Sequence, residues 1–323
     1  METGRTTERA APRVLVLGGA GFIGRHVVQA LARRGCSAAV GTRHPRKRSR
    51  GQGAAQIDFR QVRMEAMLQP GDWARTLEEF DVVVNCVGIL RQRGRETYRR
   101  VHHLGPAALA AACRQRALRL VHVSALGIEA NVRSRFPRSK RDGEAALRAS
   151  GADWHIVRPS LLDGDGGSGA RWIRRVARWP IQPFPCGATG RIAVLDVVDL
   201  GEAIATLALE GAEQREHQLG GLQERTLAEH LAAMRALYTP RPARQLPIPD
   251  PIARLVAHAC DVLHWTPFSY GHFELLHHDN VARPNRLPEL LGRAPHVVGV
   301  AAGFEGAAPS IDGSALARSG GAR

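Results

Sequence analysis

Three glycines near the N-terminus constrain the fold more than any other feature of the sequence. Gly18, Gly21 and Gly24 follow the apolar run Arg13–Leu17 and lead into Phe22–Arg34, whose apolar residues recur at helical spacing. Glycines at this spacing let the chain turn tightly from a strand into a helix, and let a pyrophosphate approach the backbone amides. The sequence therefore predicts a dinucleotide-binding strand–turn–helix unit rather than a purely structural turn.

Short apolar runs alternate with helical patterns over the first two hundred residues. Further strands are predicted at Ser37–Thr42, Asp81–Cys86, Leu118–Ser124 and Trp154–Val157, and helices at about 95–117, 136–150 and 197–209. Strands that are apolar throughout and separated by helices indicate a parallel sheet covered on both faces. We predict an α/β fold of the Rossmann type, a doubly wound parallel sheet with a smaller, mostly helical C-terminal subdomain.

The alternation is expected to stop near residue 210. We assign residues 12–210 to a NAD(P)-binding Rossmann domain, with 160–190 contributing to the C-terminal lobe, and 211–302 to the C-terminal subdomain. Helical patterns at Thr226–Tyr238 and Ile252–Trp265 flank a proline-rich stretch there. Residues 303–323 are rich in Gly, Ala and Ser, which predicts a disordered tail.

The chain is strongly basic, and its cations are almost all arginines. Of 45 Lys and Arg residues, against 30 Asp and Glu, only Lys47 and Lys140 are lysines. Because the arginines are spread through every segment, we interpret most of the formal charge of +15 as a solvated surface. The five cysteines form no CxxC pair and the histidines no HxxxH motif, so neither a disulfide framework nor a metal site is predicted.

Apolar runs bear on where the protein works. No apolar run is long enough for a membrane span or for the core of a signal peptide, which predicts a cytoplasmic protein without a transmembrane segment. The pattern Ile252–Trp265 is interpreted as a helix that caps the C-terminal subdomain or, alternatively, as a docking face for a partner or for the inner face of a membrane.

The end of the second predicted strand decides between NAD(H) and NADP(H). An acidic residue there would accept hydrogen bonds from the adenosine ribose, but the sequence reads GTRHP from Gly41 to Pro45, with no carboxylate until Asp58. An arginine at this place suits a 2′-phosphate, so NADP(H) is expected to be preferred, with Arg43 on the phosphate. Alternatively, the run Arg43–Arg50 is a solvated basic loop or a nucleic-acid patch, although it lacks aromatic residues that would stack on bases.

Taken together, the motifs resemble an extended short-chain dehydrogenase/reductase. They are GGAGFIG at Gly18–Gly24, NCVG at Asn85–Gly88, Ser124, Lys140 and VRPS at Val157–Ser160. Two later pieces, DVVD at Asp196–Asp199 and DNV at Asp279–Val281, are most similar to the atypical subgroup around the nucleotide-binding accessory subunit of respiratory complex I. The resemblance covers about residues 12–300.

This resemblance implies a cofactor site and a catalytic site. The cofactor would contact Gly18, Gly21, Phe22, Ile23, Gly24, Arg43, Cys86, Val87, Gly88, Ser124, Lys140, Pro159 and Ser160. In active members a tyrosine four residues before the lysine is the general acid, the lysine lowers its pKa and holds the nicotinamide ribose, and a serine polarises the substrate carbonyl. Ser124 and Lys140 match the serine and the lysine, but the tyrosine position holds Phe136, which has no proton to give.

Three functional interpretations follow from the missing tyrosine. The first is an NADP(H)-binding protein without the usual chemistry, with a structural, assembly or redox-sensing role that the resemblance links to a respiratory complex or quinone metabolism. The second is an active NADPH-dependent reductase or epimerase-like enzyme with an unusual acid, for which Tyr98 and His102, at the place of a helical asparagine of active members, are candidates. The third is a binder of an anionic surface or of nucleic acid through Arg43–Arg50.

Overall fold

Thirteen strands and eight helices are formed in the computed structural model, which describes residues 11–45, 58–129, 134–263 and 274–300. The strands are β1 (Val14–Leu17), β2 (Ala38–Thr42), β3 (Phe59–Gln61), β4 (Val82–Asn85), β5 (Arg119–Val123), β6 (Asp153–Pro159), β7 (Leu162–Asp163), β8 (Ile181–Pro185), β9 (Ile192–Ala193), β10 (Leu195–Asp196), β11 (Glu216–Leu219), β12 (Glu224–Arg225) and β13 (Arg244–Ile248). The helices are α1 (Phe22–Arg33), α2 (Gly105–Gln115), α3 (Arg135–Ala149), α4 (Ser168–Ala177), α5 (Val197–Leu209), α6 (Leu227–Ala236), α7 (Asp250–Leu263) and α8 (Leu287–Leu291).

Seven parallel strands form the central sheet, in the order β11-β6-β5-β4-β1-β2-β3. Strands β1 and β4 are buried along their whole length, as expected for a sheet covered on both faces. Helices α1, α5 and α8 pack on one face, and α2 and α3 pack on the other. The predicted Rossmann architecture is confirmed. Because all strands of the central sheet are parallel, the loops that follow them lie along one edge of the sheet. The glycine turn that follows β1 is at this edge.

A smaller lobe is built on this edge from the later part of the chain. Helices α4 and α6 pack together around Val176, Ala177, Leu231 and Met234. Strands β8 and β13 pair in parallel beside them, and β9 and β12 form an antiparallel pair. A capping box starts α6, in which the Thr226 hydroxyl accepts a hydrogen bond from the Glu229 amide at 3.2 Å and the Thr226 amide donates to the Glu229 carboxylate at 2.7 Å.

Several expectations from the sequence need correction. The alternation does not stop near residue 210, because β11 adds a seventh strand to the sheet beside β6. Its sequence, EHQL, is too polar to be recognised as a strand, and only its second and fourth residues are buried. Strand β3 and helix α4 were also not predicted, and the smaller lobe contains paired strands as well as helices. The tail at 303–323 lies outside the described residues.

Candidate functional site

The glycine turn has the geometry that a bound pyrophosphate needs. Gly18 has a φ of +72°, which favours glycine, and a Cβ on Gly24 would collide with the carbonyl oxygen of Gly18. Gly21 is the N-cap of α1, and no side chain caps this helix. The amides of the first helical turn are therefore left for another acceptor, and the helix dipole favours an anion there. These residues fit the phosphates of a dinucleotide.

The loop 164–167 lies against this turn. The ring of Phe22 is in contact with Gly167, and the Arg25 guanidinium donates a hydrogen bond to the carbonyl oxygen of Asp165. A Cβ on Gly166 would run into the same guanidinium. The loop is thus held at the start of α1, beside the phosphate end of the proposed cofactor site.

Arg43 stands at the end of β2, as the sequence predicts. Its side chain is 54% exposed and forms an ion pair with Glu96. Both residues line the same cavity as the glycine turn. Arg43 is therefore placed where it can reach an adenosine ribose, but a carboxylate already competes for its guanidinium.

A single cavity of about 910 Å³ joins the glycine turn to the smaller lobe. All the cofactor residues expected from the sequence line it, except Gly24, which lies underneath the turn: Gly18, Gly21, Phe22, Ile23, Arg43, Cys86, Val87, Gly88, Ser124, Lys140, Pro159 and Ser160. The structure thus brings together residues that are spread over 143 positions of the chain, from Gly18 to Ser160. Burial raises the pKa of the Cys86 thiol to about 12, so this thiol stays protonated and is not a thiolate nucleophile at neutral pH.

Hydrogen bonds take up both ring nitrogens of His102. Its Nε2 accepts from the Ile89 amide at 3.1 Å, and its Nδ1 lies 3.0 Å from the Ser139 hydroxyl. Ser139 donates its own proton to the carbonyl of Phe136 at 2.7 Å, so Nδ1 must carry the histidine proton. Burial, with the nearby charge of Lys140, holds the pKa of His102 well below its usual value. His102 is a neutral ring that fixes α3 in place, and these bonds do not support a role as substitute acid.

Tyr98 and Phe136 complete an aromatic cluster with His102. The Tyr98 ring stacks on His102 at 5.5 Å between centroids, and Phe136 meets both rings edge-on. The Tyr98 hydroxyl donates to the carbonyl of Leu90 at 2.8 Å, and Tyr98 is not among the residues that line the cavity. The second candidate for a substitute acid is therefore also directed elsewhere.

Ser124 and Lys140 remain in the cavity as polar groups available to a ligand. The Ser124 hydroxyl is buried and makes no hydrogen bond of regular geometry in the described part of the chain. It lies close enough to the Glu144 carboxylate to contribute to the lowering of the Glu144 pKa. A buried, unsatisfied hydroxyl fits a substrate oxygen. The Lys140 ammonium lies 5.8 Å from the centre of the Phe136 ring. Burial lowers the pKa of Lys140 to about 8, although Glu144 acts in the opposite direction.

A buried ion cluster lies behind Lys140, one helical turn further along α3. Glu144 binds the guanidinium of Arg158 through two hydrogen bonds, of 2.9 and 2.6 Å, and both side chains are almost fully buried. Glu129 and Glu216 also pair with Arg158. The cluster joins α3 to β6 and β11 and so holds the helix that carries Lys140.

Asn280 connects the two lobes at the edge of the site. Its side-chain oxygen accepts from the Ser160 hydroxyl at 2.6 Å and from the Leu161 amide at 3.1 Å, and its side-chain nitrogen donates to the carbonyl of Leu126 at 2.9 Å. The hydroxyl of Ser160 is thus engaged by Asn280, which makes Ser160 a residue that shapes the cavity wall. The DNV motif at Asp279–Val281 was the only signal for this contact in the sequence.

Toward the smaller lobe the cavity becomes apolar. We call this part the apolar limb, and it is lined by Trp172, Ile173, Val176, Trp179, Pro183, Phe184, Leu227, Leu231, Ile248, Ala253 and Val256. Of the described lining residues that follow Lys140 in the chain, none is charged. These residues were not identified from the sequence. Apolar positions at 172, 173 and 176 have helical spacing, but nothing in the sequence shows which elements they face.

Comparisons with known proteins agree with this geometry. A family model described as NAD(P)H-binding matches residues 18–178. Ceramide reductase of Caulobacter vibrioides is 30% identical over 195 residues, which is 58% of this chain and 57% of that protein. The NADH dehydrogenase [ubiquinone] 1 alpha subcomplex subunit 9 of Arabidopsis thaliana mitochondria is 27% identical over 250 residues, 75% of this chain and 61% of that protein. The chain thus spans about three fifths of the length of these two relatives.

Solved structures share the fold. The Bordetella bronchiseptica enzyme WbmG in complex with NAD superposes with a TM-score of 0.63 at 17% identity, over 90% of this chain and 91% of that one. UDP-glucose 4-epimerase of Thermus thermophilus, also with NAD, gives a TM-score of 0.56 at 22% identity, over 73% of this chain and 86% of that one. The match to the NAD(P)H-binding family model and the likeness to the complex I subunits support the resemblance to atypical short-chain dehydrogenases/reductases.

The match to the NAD(P)H-binding family model establishes the general function of residues 18–178. This chain carries an NAD(P)H-binding domain, and the glycine turn with α1 has the geometry that the phosphates of a dinucleotide need. In the described part of the chain, no helix has both the length and the apolar character that a membrane crossing requires.

Proposed function

We propose that this chain binds NADP(H) at the glycine turn and binds the hydrocarbon part of a lipid-like substrate in the apolar limb, with the substrate carbonyl reduced beside Ser124. One observation carries the proposal. The cofactor groove and an uncharged limb form a single cavity of about 910 Å³, with a buried, unsatisfied hydroxyl in its wall. The likeness to a ceramide reductase supports a lipid, since ceramide, for which that relative is named, is a lipid.

The charges of the cavity argue against a nucleotide sugar. A diphosphate that leaves water needs cations or several hydrogen-bond donors. The charged residues that line the described part of the cavity are Arg43, Glu65, Glu96 and Lys140, and none of them belongs to the apolar limb. The fold that this chain shares with UDP-glucose 4-epimerase is therefore no argument that it binds a nucleotide sugar.

The proposal gives Arg43, Ser124 and Lys140 each a role. A bound NADPH supplies the hydride. The amides of the first turn of α1 hold its pyrophosphate, and Arg43 binds the 2′-phosphate. Ser124 donates a hydrogen bond to the substrate oxygen. Lys140 holds the proton that this oxygen receives, since Tyr98 and His102 are bonded elsewhere and Phe136 has none.

A second candidate function is a non-catalytic NADP(H)-binding subunit with a structural, assembly or redox-sensing role. The aromatic cluster of Tyr98, His102 and Phe136 favours it, because this cluster occupies the place where active relatives keep their acid. The likeness to complex I subunits supports a respiratory-complex partner. This candidate predicts tight NADPH binding with no turnover of any long-chain aldehyde or ketone.

Replacing Arg43 with alanine should weaken NADPH binding by roughly tenfold or more and leave NADH binding unchanged, because a charge-assisted hydrogen bond to a phosphate contributes about 1.5–3 kcal/mol. Glu96→Gln is the matched control, since it frees Arg43 from its ion-pair partner and should tighten NADPH binding. Fluorescence titration with both nucleotides measures the effect. Equal affinity for NADH and NADPH, unaffected by either substitution, would show that Arg43 does not bind a 2′-phosphate.

A charge placed in the apolar limb should abolish binding of the lipid but not of the nucleotide. Ile173→Glu puts a carboxylate among apolar side chains, so cis-parinaric acid, a fluorescent fatty acid, should no longer bind. Ile173→Leu keeps an apolar side chain at this position and should bind cis-parinaric acid normally.

In the wild-type protein, KM for a series of aldehydes should fall roughly three- to fourfold with each added CH₂ until the limb is full. A KM that does not depend on chain length would contradict the lipid substrate.

A further inference from the structure

Helix α7 carries its large apolar side chains on the outside. Ala253 and Ala257 are buried against Ile248. Ile252, Leu255 and Val256, in contrast, are 53%, 70% and 49% exposed. A surface helix normally buries its large apolar residues and exposes polar ones. In α7 the small residues face the protein, which leaves the larger, outward-facing stripe to contact something else.

The exposed apolar surface continues onto the neighbouring strand pair. Trp179, Ile181 and Leu246 are 38%, 52% and 46% exposed. The parallel register aligns Arg244 with Ile181 and Leu246 with Pro183, so these residues share one face of the β8–β13 pair. Between them, Gln182 and Gln245 turn the other way and donate to carbonyl oxygens of α4 and α6.

These six exposed residues lie on or beside elements that line the apolar limb, and we call them the apolar mouth: Trp179, Ile181, Leu246, Ile252, Leu255 and Val256. Two of them, Trp179 and Val256, both line the cavity and are exposed to solvent. The outward-facing stripe of α7 is thus continuous with the inside of the limb. Exposed apolar patches of this kind mark contact surfaces, and this one leads directly to a binding site.

Arginines border the apolar mouth. Arg178 precedes Trp179 and lies 4.3 Å from the centre of the Tyr238 ring, Arg244 is aligned with Ile181, and Arg254 precedes Leu255. Segments 171–185 and 237–260 together contain seven arginines, of which Arg174 pairs with Asp163 and Asp165, and one acidic residue, Asp250. That carboxylate already bonds to the Gly187 amide and to His277. An apolar patch with a cationic border complements a bilayer that contains anionic lipids.

We propose that the apolar mouth docks onto the surface of an anionic membrane, so that a lipid enters the apolar limb from the bilayer. A second copy of the chain is a poorer occupant, because a two-fold contact through this face would bring its arginines against each other. Docking itself goes beyond the proposed function, since it requires neither nucleotide nor reduction, and only the entry of the lipid rests on that function. It also gives the basic surface around α4, β13 and α7 a specific role.

Vesicle flotation with the full chain tests the proposal. Vesicles of phosphatidylcholine mixed with phosphatidylglycerol should bind the protein, and vesicles of phosphatidylcholine alone should bind it much less. The double variant Ile252→Ser, Leu255→Ser should lose roughly tenfold or more of the affinity, because both side chains would otherwise insert into the acyl region. Leu222→Ser is the matched control, since Leu222 is 50% exposed and does not line the cavity.

Charge variants separate the two contributions. Arg178→Gln and Arg244→Gln should each weaken binding to the mixed vesicles by roughly fivefold, and added salt should do the same. Arg116→Gln, on an exposed site at the end of α2, should not. A brominated phospholipid should quench wild-type fluorescence more than that of Trp179→Phe.

Three results would overturn the proposal. One is equal vesicle binding by the double variant and the wild type. Another is a dimer that Leu255→Ser dissociates. The third is vesicle binding that appears only after residues 301–323 are removed, which would make that segment the occupant. NADPH and cis-parinaric acid titrations on the same variants keep this outcome separate from a failure of the proposed function, because neither ligand requires a membrane.

Discussion

Replacing Lys140 with methionine should lower the turnover of a long-chain carbonyl substrate by about 10²–10⁴-fold, the usual contribution of a positioned acid. The reason is geometric. Phe136 has no proton, His102 is a neutral ring with both nitrogens bonded, and the Tyr98 hydroxyl donates to Leu90. Lys140 lines the cavity together with Ser124. The measurement is kcat at saturating NADPH, with NADPH affinity titrated separately because Lys140 is also expected to contact the ribose.

The pH dependence gives a second measurement of the same role. Burial lowers the pKa of Lys140 to about 8, and only the protonated form can donate, so kcat should fall as the pH rises through about 8. Lys140→Arg keeps a cation that does not release its proton, and it should be nearly as inactive as the methionine variant. Full turnover in either variant, or a kcat that does not change across pH 8, would remove Lys140 from the proposed mechanism.

The scarcity of lysine makes a direct titration possible without any turnover. Lys47 and Lys140 are the only lysines, so reductive methylation with a ¹³C label gives two side-chain signals besides the N-terminus, and Lys140→Arg identifies one of them. The Lys140 signal should titrate near 8 instead of the ordinary value of about 10.4. An ordinary value would mean that the ammonium is solvated and that the proposed donor is not poised for proton transfer.

The strands and the glycine turn could be predicted from the sequence because their signals are local. An apolar run, three glycines and a helical pattern follow each other within Arg13–Arg34, and β1 and α1 form there. The strand β11 could not be predicted, since two of its four side chains are not buried and its only sheet neighbour is β6. Its place depends on tertiary contacts, among them the ion pair between Glu216 and Arg158.

The site divides in the same way. Ser124, Lys140 and Arg43 follow recognisable strands or motifs, so their position at one edge of a parallel sheet could be expected. The apolar limb could not, because α4, β8, α6 and α7 contribute to it from separate parts of the chain and each has an ordinary apolar pattern. The state of His102 also required the structure, since the partners on its two ring nitrogens come from Ile89 and Ser139.

Replacing Arg158 with methionine should lower the free energy of unfolding by about 3–5 kcal/mol, the cost of leaving a buried charge without its partner. The Arg158 side chain is 4% exposed and that of Glu144 is 2% exposed, so water cannot replace the two lost hydrogen bonds. Arg148 would remain as a partner of Glu144, at 3.0 Å, but it is itself 40% exposed. Urea unfolding monitored by circular dichroism measures the change.

Two variants and a pH series identify the mechanism of this loss. Arg148→Met breaks ion pairs at the exposed edge of the same cluster and should cost less than about 1 kcal/mol. The double variant Arg158→Met, Glu144→Leu removes both buried charges and should recover much of the stability.

Burial raises the pKa of Glu144, but the Arg158 hydrogen bonds outweigh it and the net pKa is lowered. In the wild type, the stability from Glu144 is therefore present above its unfolded pKa and is lost as the pH falls through its folded pKa. The difference between wild type and Arg158→Met should accordingly be largest at neutral pH and shrink in acid, and a difference that stays constant would assign the loss to packing instead of charge.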